Sequence, residues 1–308
     1  MAWKDINMPR EIEVKSVLNK SKRRDPWFLD DYTFNPYSSC SFNCLYCYIR
    51  GSKYGFNLEQ SLSVKTNAVD LLEKQLANRA KKGQYGIIVL SSATDPYLQI
   101  ERKYEITRQA LEVIHKYRFP VHIITKSDII VRDFDLLKQI ERDAILPADL
   151  PQLKQGVIIS FSFSTIQDKV GKVFEPGATL PSKRVETLQG AISHGFLSGV
   201  SLMPLIPYIS DTSEQLHQSF SLFKNIGVDY ILPATITLYG DGKADSKTLM
   251  INAIRKHYPE LVGKYQKFFM SSTEMPGYYQ RAFRKKMQQL SAEYGLCMDI
   301  LEASSRKK

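Results

Sequence analysis

Three cysteines fall on one short stretch, Cys40-Ser41-Phe42-Asn43-Cys44-Leu45-Tyr46-Cys47, with the spacing C-x3-C-x2-C. Three thiolates so placed can converge on three corners of an iron–sulfur cube. The nearest histidine in sequence, His115, lies 68 residues on, so no neighbour supplies a fourth ligand. A cube held by three thiolates keeps one iron open, and an open metal position is what chemistry requires. The competing chemistry is structural zinc, which wants four protein ligands, usually as spaced pairs. This chain offers a triplet and one distant thiol, Cys297. Cys297 would have to fold back to close a zinc site, and packing as a small apolar thiol is the commoner fate. An odd cluster in a chain of 308 residues does not describe a disulfide scaffold. The expectation is reduced, metal-bound cysteines in a cytoplasmic protein.

Such a loop needs a frame. Extended runs at 32–35, 86–90, 121–125, 156–162, 200–205 and 230–234 alternate with helical periodicity at 66–79, 106–116, 131–140, 181–194 and 213–226. Thr66 is the expected N-cap of the first helix, and Gly195 and Gly227 follow two of the others. Continuous apolar strands between amphipathic helices imply a parallel sheet with helices outside. Six units are too few for an eight-fold barrel. The fold expected is therefore α/β, a partial (β/α)6 TIM-type barrel; periodicity alone fits a flat doubly wound sheet equally. In both, ligands bind at the C-terminal ends of the strands, where the cysteine loop falls. Beyond residue 240 the pattern turns helical, at 246–257, 261–269 and 279–294, with a short last strand expected at 297–301 and a frayed basic tail at 303–308. The organisation read from this is a lead-in (1–29) ending in Trp27-Phe28-Leu29, a core (30–240) and a mostly helical extension (241–308).

The formal net charge is +10, and residues 241–308 hold 13 basic against 7 acidic side chains. A basic segment suits an anionic partner such as nucleic acid; a soluble protein with a positive surface is the alternative reading. Arg281, Arg284, Lys285 and Lys286 stand among Tyr278, Tyr279 and Phe283, a mixture that suits a strand with splayed bases. No stretch approaches the roughly 18 apolar residues of a membrane span, and the basic residues 1–24 lack the apolar region of a secretory signal. No glycine-rich phosphate loop, H-E-x-x-H or G-x-S-x-G occurs. His115, His122, His194, His217 and His257 stand singly and are read as structural.

With an aromatic residue just before the third cysteine, the C-x3-C-x-Tyr-C string after a first strand resembles the signature of radical S-adenosylmethionine (SAM) enzymes. The longer run Asn35-Pro36-Tyr37 to Cys40, with Cys47-Tyr48-Ile49-Arg50, is similar to the spore photoproduct lyase-like branch, broadly labelled DNA repair photolyase-like. Further blocks support it in order: Ser91-Ser92-Ala93-Thr94-Asp95-Pro96-Tyr97 with Glu101 and Thr107-Arg108, then Ile124-Thr125-Lys126-Ser127, Glu175-Pro176 with Arg184, and Met203-Pro204-Leu205-Ile206-Pro207. The resemblance implies a [4Fe–4S] cluster on Cys40, Cys44 and Cys47 whose open iron takes the amine and carboxylate of S-adenosyl-L-methionine. Reductive cleavage then gives a 5′-deoxyadenosyl radical that removes a hydrogen atom from substrate, in lyase- or transferase-type chemistry. An external flavodoxin- or ferredoxin-like protein would supply the electron.

On this resemblance Ser92, Thr94 and Asp95 offer acceptors to the methionyl ammonium, and Lys126 pairs with the methionyl carboxylate. Tyr46 lies against adenine, Ser160 and Ser162 bond ribose or carboxylate oxygens, and Met203, with Leu205, lines the adenine pocket. Glu175 and Arg184 are expected to pair and fix their loop. Tyr48 and Tyr97 are candidate phenols on the substrate side. One departure matters. Spore photoproduct lyases return a hydrogen atom from a cysteine near the second-strand motif, whereas here that region reads Val89-Leu90-Ser91-Ser92 and Cys297 is the only spare thiol. Modification of a peptide or small molecule is the alternative substrate reading, and a non-enzymatic iron–sulfur or zinc module the alternative class.

Overall fold

Six apolar runs pair side by side as parallel strands: β1 (Tyr32–Phe34), β2 (Ile88–Leu90), β3 (Val121–Thr125), β4 (Val157–Ser162), β5 (Leu197–Leu205) and β6 (Tyr230–Thr235). They are seen in a computed structural model that describes residues 9–52, 62–90 and 93–307. Every residue of β2 and β4 is buried, as a sheet covered on both faces demands. Spatial order follows chain order from β1 to β6 without a reversal, and the short strand Leu18–Lys20 adds antiparallel outside β1. This separates the two architectures that periodicity left open. A doubly wound sheet reverses its strand order at a switch point; a singly wound one keeps all its crossover helices on one face and curls towards a barrel. The sheet is a partial barrel, with no pairing between β1 and β6.

The crossover helices are α1 (Ala68–Lys81), α2 (Ile106–Lys116), α3 (Phe134–Asp143), α4 (Pro181–Ser193) and α5 (Ser213–Ile226). Their apolar faces and the outer side of the sheet form one large core. Thr66 does not cap α1. Asn67 takes the N-cap position without a capping bond, and its amide instead pairs with Val14 through both N–H and C=O (3.0 and 2.9 Å). The helix expected over 131–140 begins as a 3-10 turn, Ile129–Asp133, before α3.

The C-terminal segment is helical: α6 (Ser246–His257), α7 (Val262–Phe268), α8 (Gly277–Tyr294) and α9 (Ile300–Arg306). The last strand expected at 297–301 reduces to one pairing step, Cys297 beside Tyr230. Asp299 then caps α9 by accepting the Glu302 N–H at 2.8 Å, and the helix wins. The tail is not frayed over 303–307. Ser304 is buried and accepts the Lys154 N–H (2.9 Å), while Lys307 reaches Asp229 (2.7 Å). The reason is burial: α9 brings Ile300 and Ala303 onto Leu29, Leu150, Leu153 and Cys297, which together plug the N-terminal end of the barrel interior. Among the described residues no helix is long and apolar enough to cross a membrane. Ile300→Ala should therefore lower the unfolding free energy in urea by about 2–4 kcal/mol, and Leu301→Ala, half-buried beside it, by less than half of that.

Candidate functional site

The cysteine loop has little structure of its own and is held by its neighbours. The Leu45 N–H donates to the Phe174 carbonyl (2.9 Å) and the Gly177 N–H to the Phe42 carbonyl (2.9 Å). Residue 177 must be glycine, because a Cβ there would lie 2.4 Å from the Ser41 carbonyl oxygen. Asn43 sits at φ 53°, a left-handed conformation that asparagine tolerates better than most residues. Its side chain accepts from Arg50, which also reaches the Ala244 carbonyl at 3.3 Å. Loop, Glu175 block and the turn before α6 are thus packed as one body.

Behind the loop lies Glu175, fully enclosed. Its Oε1 accepts from the Tyr46 hydroxyl and from Ser164 (2.9 Å), and its Oε2 from Arg184. Arg184 also donates to the Ser162 carbonyl at 2.5 Å. Burial pushes the Glu175 carboxyl up, but the Arg184 and Lys126 charges and the hydrogen bonds from Tyr46 and Arg184 outweigh it, leaving it below the usual range. Here the expected pairing of Glu175 with Arg184 is found. The Tyr46 phenol is committed to this carboxylate rather than free for a ligand. A second network joins the Asn-Pro-Tyr run to the second block: Tyr37 donates to buried Glu101, which also accepts the Thr107 N–H (3.0 Å) and Arg132 (2.7 Å).

One cavity of about 600 Å³ opens at the C-terminal ends of the strands, and Cys40, Cys44, Cys47, Tyr46, Thr94, Asp95, Lys126, Ser162 and Met203 all line it. Ser92 lies outside the described residues. Asp95 clamps two strand ends, accepting from the Tyr97 N–H (2.9 Å), the Thr125 hydroxyl (2.8 Å) and the Lys126 N–H (2.8 Å); burial raises its carboxyl above the ordinary range. Lys126 Nζ stands 6.0 Å from the Tyr46 ring centroid. The Thr94 hydroxyl is buried without a hydrogen-bond partner, the mark of a place where a polar ligand belongs. Tyr48 lines the cavity and is exposed; Tyr97 and Leu205 are buried in the outer core.

Ser160 is not at this surface. It lies deeper in the barrel, its hydroxyl between His122 Nε2 (2.7 Å) and the Tyr230 hydroxyl (2.7 Å). His122 Nδ1 meets the Phe28 carbonyl at 2.8 Å. Gly199 makes room for the Tyr230 ring, which would lie 2.4 Å from a Cβ there. Burial holds the His122 imidazole down to about 4, against the Phe28 carbonyl and Asp30, which favour its charged form. Sequence reasoning also missed part of the lining: Asp25, Phe28, Asp30, Thr33, Thr235, Thr237 and Tyr239. Only Thr33 carried a signal, as the central, alternating position of β1; the rest come from turns and strand ends without periodicity.

The donor set fits an iron–sulfur cluster. All three loop cysteines are free thiols. Burial pushes the Cys44 thiol up to about 12 and the Cys40 thiol higher, and the neighbouring thiols add to both. Thiolates crowded together in a pocket of low polarity need a metal to neutralise them. Among the described residues no three Cys, His, Asp or Glu side chains converge on a single ion. A cluster takes each thiolate on a different iron, so the three need not converge on one ion. Cys297 is buried in the plug beside Tyr230, at the other end of the barrel from the loop, so it neither closes the site nor faces the cavity.

Comparison with known proteins agrees with this geometry. The pattern of the Radical SAM superfamily matches residues 34–220. An uncharacterized protein of Mycobacterium tuberculosis is 24% identical over 295 residues, covering 94% of this chain and 82% of its own. A radical SAM Nalpha-GlyT isomerase of Pseudomonas phage M6 is 22% identical over 215 residues, 69% of this chain and 41% of its own. Among solved structures, spore photoproduct lyase with bound AdoMet and dinucleoside spore photoproduct superposes with a TM-score of 0.61 at 14% identity, covering 92% of this chain and 78% of that one. Streptococcus suis SuiB bound to its precursor peptide SuiA gives 0.52 at 10% identity, covering 87% and 47%. The chain belongs to the Radical SAM superfamily.

Two outcomes follow from the packing. Gly177→Ala should displace the cysteine loop and lower the iron bound after anaerobic reconstitution by more than half, with the fold retained by circular dichroism. His122 has its pKa lowered by folding, so its contribution is complete above about pH 6.5 and is lost as pH falls towards 4. Unfolding of the apoprotein in urea should weaken by on the order of 3 kcal/mol over that window, and His122→Asn should flatten that part of the profile.

Proposed function

We propose that this protein is a cytoplasmic radical SAM enzyme that acts on nucleic acid, with a [4Fe–4S] cluster on Cys40, Cys44 and Cys47 and S-adenosyl-L-methionine at the open iron. Bound together, cluster and cofactor supply a one-electron cleavage whose 5′-deoxyadenosyl radical removes a hydrogen atom from substrate. The observation that carries the reading is a trio of thiols with no further cysteine or histidine among the described lining residues, in a cavity that also holds an orphaned hydroxyl and a lysine. Lys126 is the cation for the cofactor's carboxylate. Thr94 is a free hydroxyl for its polar groups, and Ile124 and Met203 give apolar surface. Asp95 and Glu175 act through others: Asp95 fixes the end of β3, and Glu175 fixes Tyr46 and the loop. A flavodoxin- or ferredoxin-like donor would supply the electron.

The nucleic-acid part rests on the surface of α7 and α8. Arg281, Arg284 and Lys285 are exposed, and none forms an ion pair among the described residues. Tyr278 beside them is 60% exposed, and Lys264 sits 4.1 Å over the Tyr208 ring, which stacks on Phe268. Thr237, in the cavity wall, pairs with Glu274 just before α8. Unpaired cations among exposed aromatic rings suit a single strand. A peptide substrate is the second reading, favoured by the likeness to SuiB; against a maturase with further clusters, only Cys297 remains outside the loop.

With reductant and SAM, a mixed-sequence single-stranded oligonucleotide should raise 5′-deoxyadenosine formation. Replacing Arg281, Arg284 and Lys285 by alanine should weaken oligonucleotide binding and flatten its log K against log salt slope by about 2. Reductive cleavage that ignores the oligonucleotide, with binding indifferent to salt, would keep the radical chemistry and remove nucleic acid.

A further inference from the structure

We infer that segment 25–30 is the substrate floor of the cavity and that His122 is the positioning residue that holds it there. The inference rests on the cavity being the active site, as proposed above. The cysteine loop follows the C-terminal end of β1, and segment 25–30 precedes its N-terminal end. Both line the same cavity, with Thr33 of β1 between them. The segment therefore closes the space from below, opposite the thiols.

Several contacts fix it. Leu29 is buried at φ 58° in the barrel plug, a strained backbone for a leucine. The Asp25 carboxylate accepts the Trp27 and Phe28 N–H groups at 2.8 and 3.0 Å, and Arg24 bridges Asp31 and Asp149. From inside the barrel comes one further bond, to the Phe28 carbonyl. A carbonyl can only accept, so His122 Nδ1 carries the proton; Nε2 must then accept from Ser160, whose oxygen accepts from Tyr230 (2.7 Å), a hydroxyl that also reaches the Ile159 carbonyl at 3.2 Å. A chain of groups from β3, β4 and β6, every member buried, thus ends on a single loop carbonyl. Buried polar groups organised in this way specify position, and what this one positions is the Phe28 ring and the two carboxylates that flank it.

The charge of the floor selects the guest. Asp25 and Asp30 line it, and the only cation among the described lining residues is Lys126, near Tyr46 beside the cysteine loop. A phosphate is repelled from the floor. An uncharged or cationic group that donates hydrogen bonds is accepted there, so a nucleobase would enter with its N–H edge down while the phosphates stay on the outer basic face.

The test uses the full chain with Trp3→Phe, which leaves Trp27 as the sole tryptophan. His122→Asn keeps an N–H able to reach the Phe28 carbonyl; His122→Gln does not; Ser160→Ala is the milder control that leaves the ring in place. Acrylamide quenching of Trp27 should rise in His122→Gln, rise less in Ser160→Ala and stay near the parent value in His122→Asn. Iron content after reconstitution should be equal in all. In oligonucleotide-stimulated 5′-deoxyadenosine formation, His122→Gln should raise the half-saturating concentration about tenfold, the cost of one buried hydrogen bond, with little change in maximal rate, and His122→Asn should restore it. Unchanged quenching in His122→Gln, or equal impairment in His122→Asn, would overturn the inference. If the oligonucleotide stimulates nothing even in the parent, the nucleic-acid reading fails, and the quenching series still decides the floor.

Discussion

A buried carboxylate sets the position of the three thiols. Glu175 and Arg184 are both fully enclosed, and taking such a pair out of water costs several kcal/mol per ion unless hydrogen bonds satisfy each group. Here they nearly do: Tyr46, Ser164 and Arg184 serve the carboxylate, and the Ser162 carbonyl and the Phe163 ring (5.1 Å) serve the guanidinium, with only Arg184 Nε left over. Such a pair is a poor source of stability and a good source of position. Tyr46 lies between Cys44 and Cys47, so fixing its hydroxyl fixes the loop from within. Phe174 and Gly177, on either side of Glu175, fix the same loop from its backbone.

The rest of the barrel extends that constraint downward. A singly wound sheet leaves one side unpaired, and its interior must be filled from both ends. At the C-terminal end the filling is incomplete, which is the cavity, and the ionisable and hydroxyl groups Asp95, Lys126 and Thr94 stand in its wall. At the N-terminal end it is apolar and complete, with Leu29, Leu150, Leu153, Cys297, Ile300 and Ala303. Between them His122, Ser160 and Tyr230 satisfy one another across three strands. The fold therefore grades from sealed to open along the strand direction, and reactive groups gather where it opens.

Much of this was legible in the residues, for reasons that differ by place. The strands announced themselves because each is a mainly apolar, buried run, and the triplet of cysteines because thiols at that spacing have few other uses. The pairing of Glu175 with Arg184 was also within reach, as an acid and a base bracketing a helix start. Ser160 misled, because strand parity puts it on the same side as Ser162 but says nothing about depth; one sits in the wall, the other in the packed interior. The end of the chain misled for another reason. Residues 297–301 look extended by composition, yet Asp299 at a cap and two apolar residues above a hole in the core favour a helix. Asp25, Phe28 and Asp30 were invisible, because a loop that leads into a strand carries no period.

The most direct test of the central claim is electron paramagnetic resonance of the anaerobically reconstituted, dithionite-reduced protein before and after S-adenosyl-L-methionine is added. About four irons per chain are expected, with a reduced-cluster signal that shifts on adding the cofactor, and both should be lost when Cys40, Cys44 or Cys47 is replaced by alanine. A tightly bound zinc without iron, or a cluster whose signal ignores the cofactor, would contradict the claim.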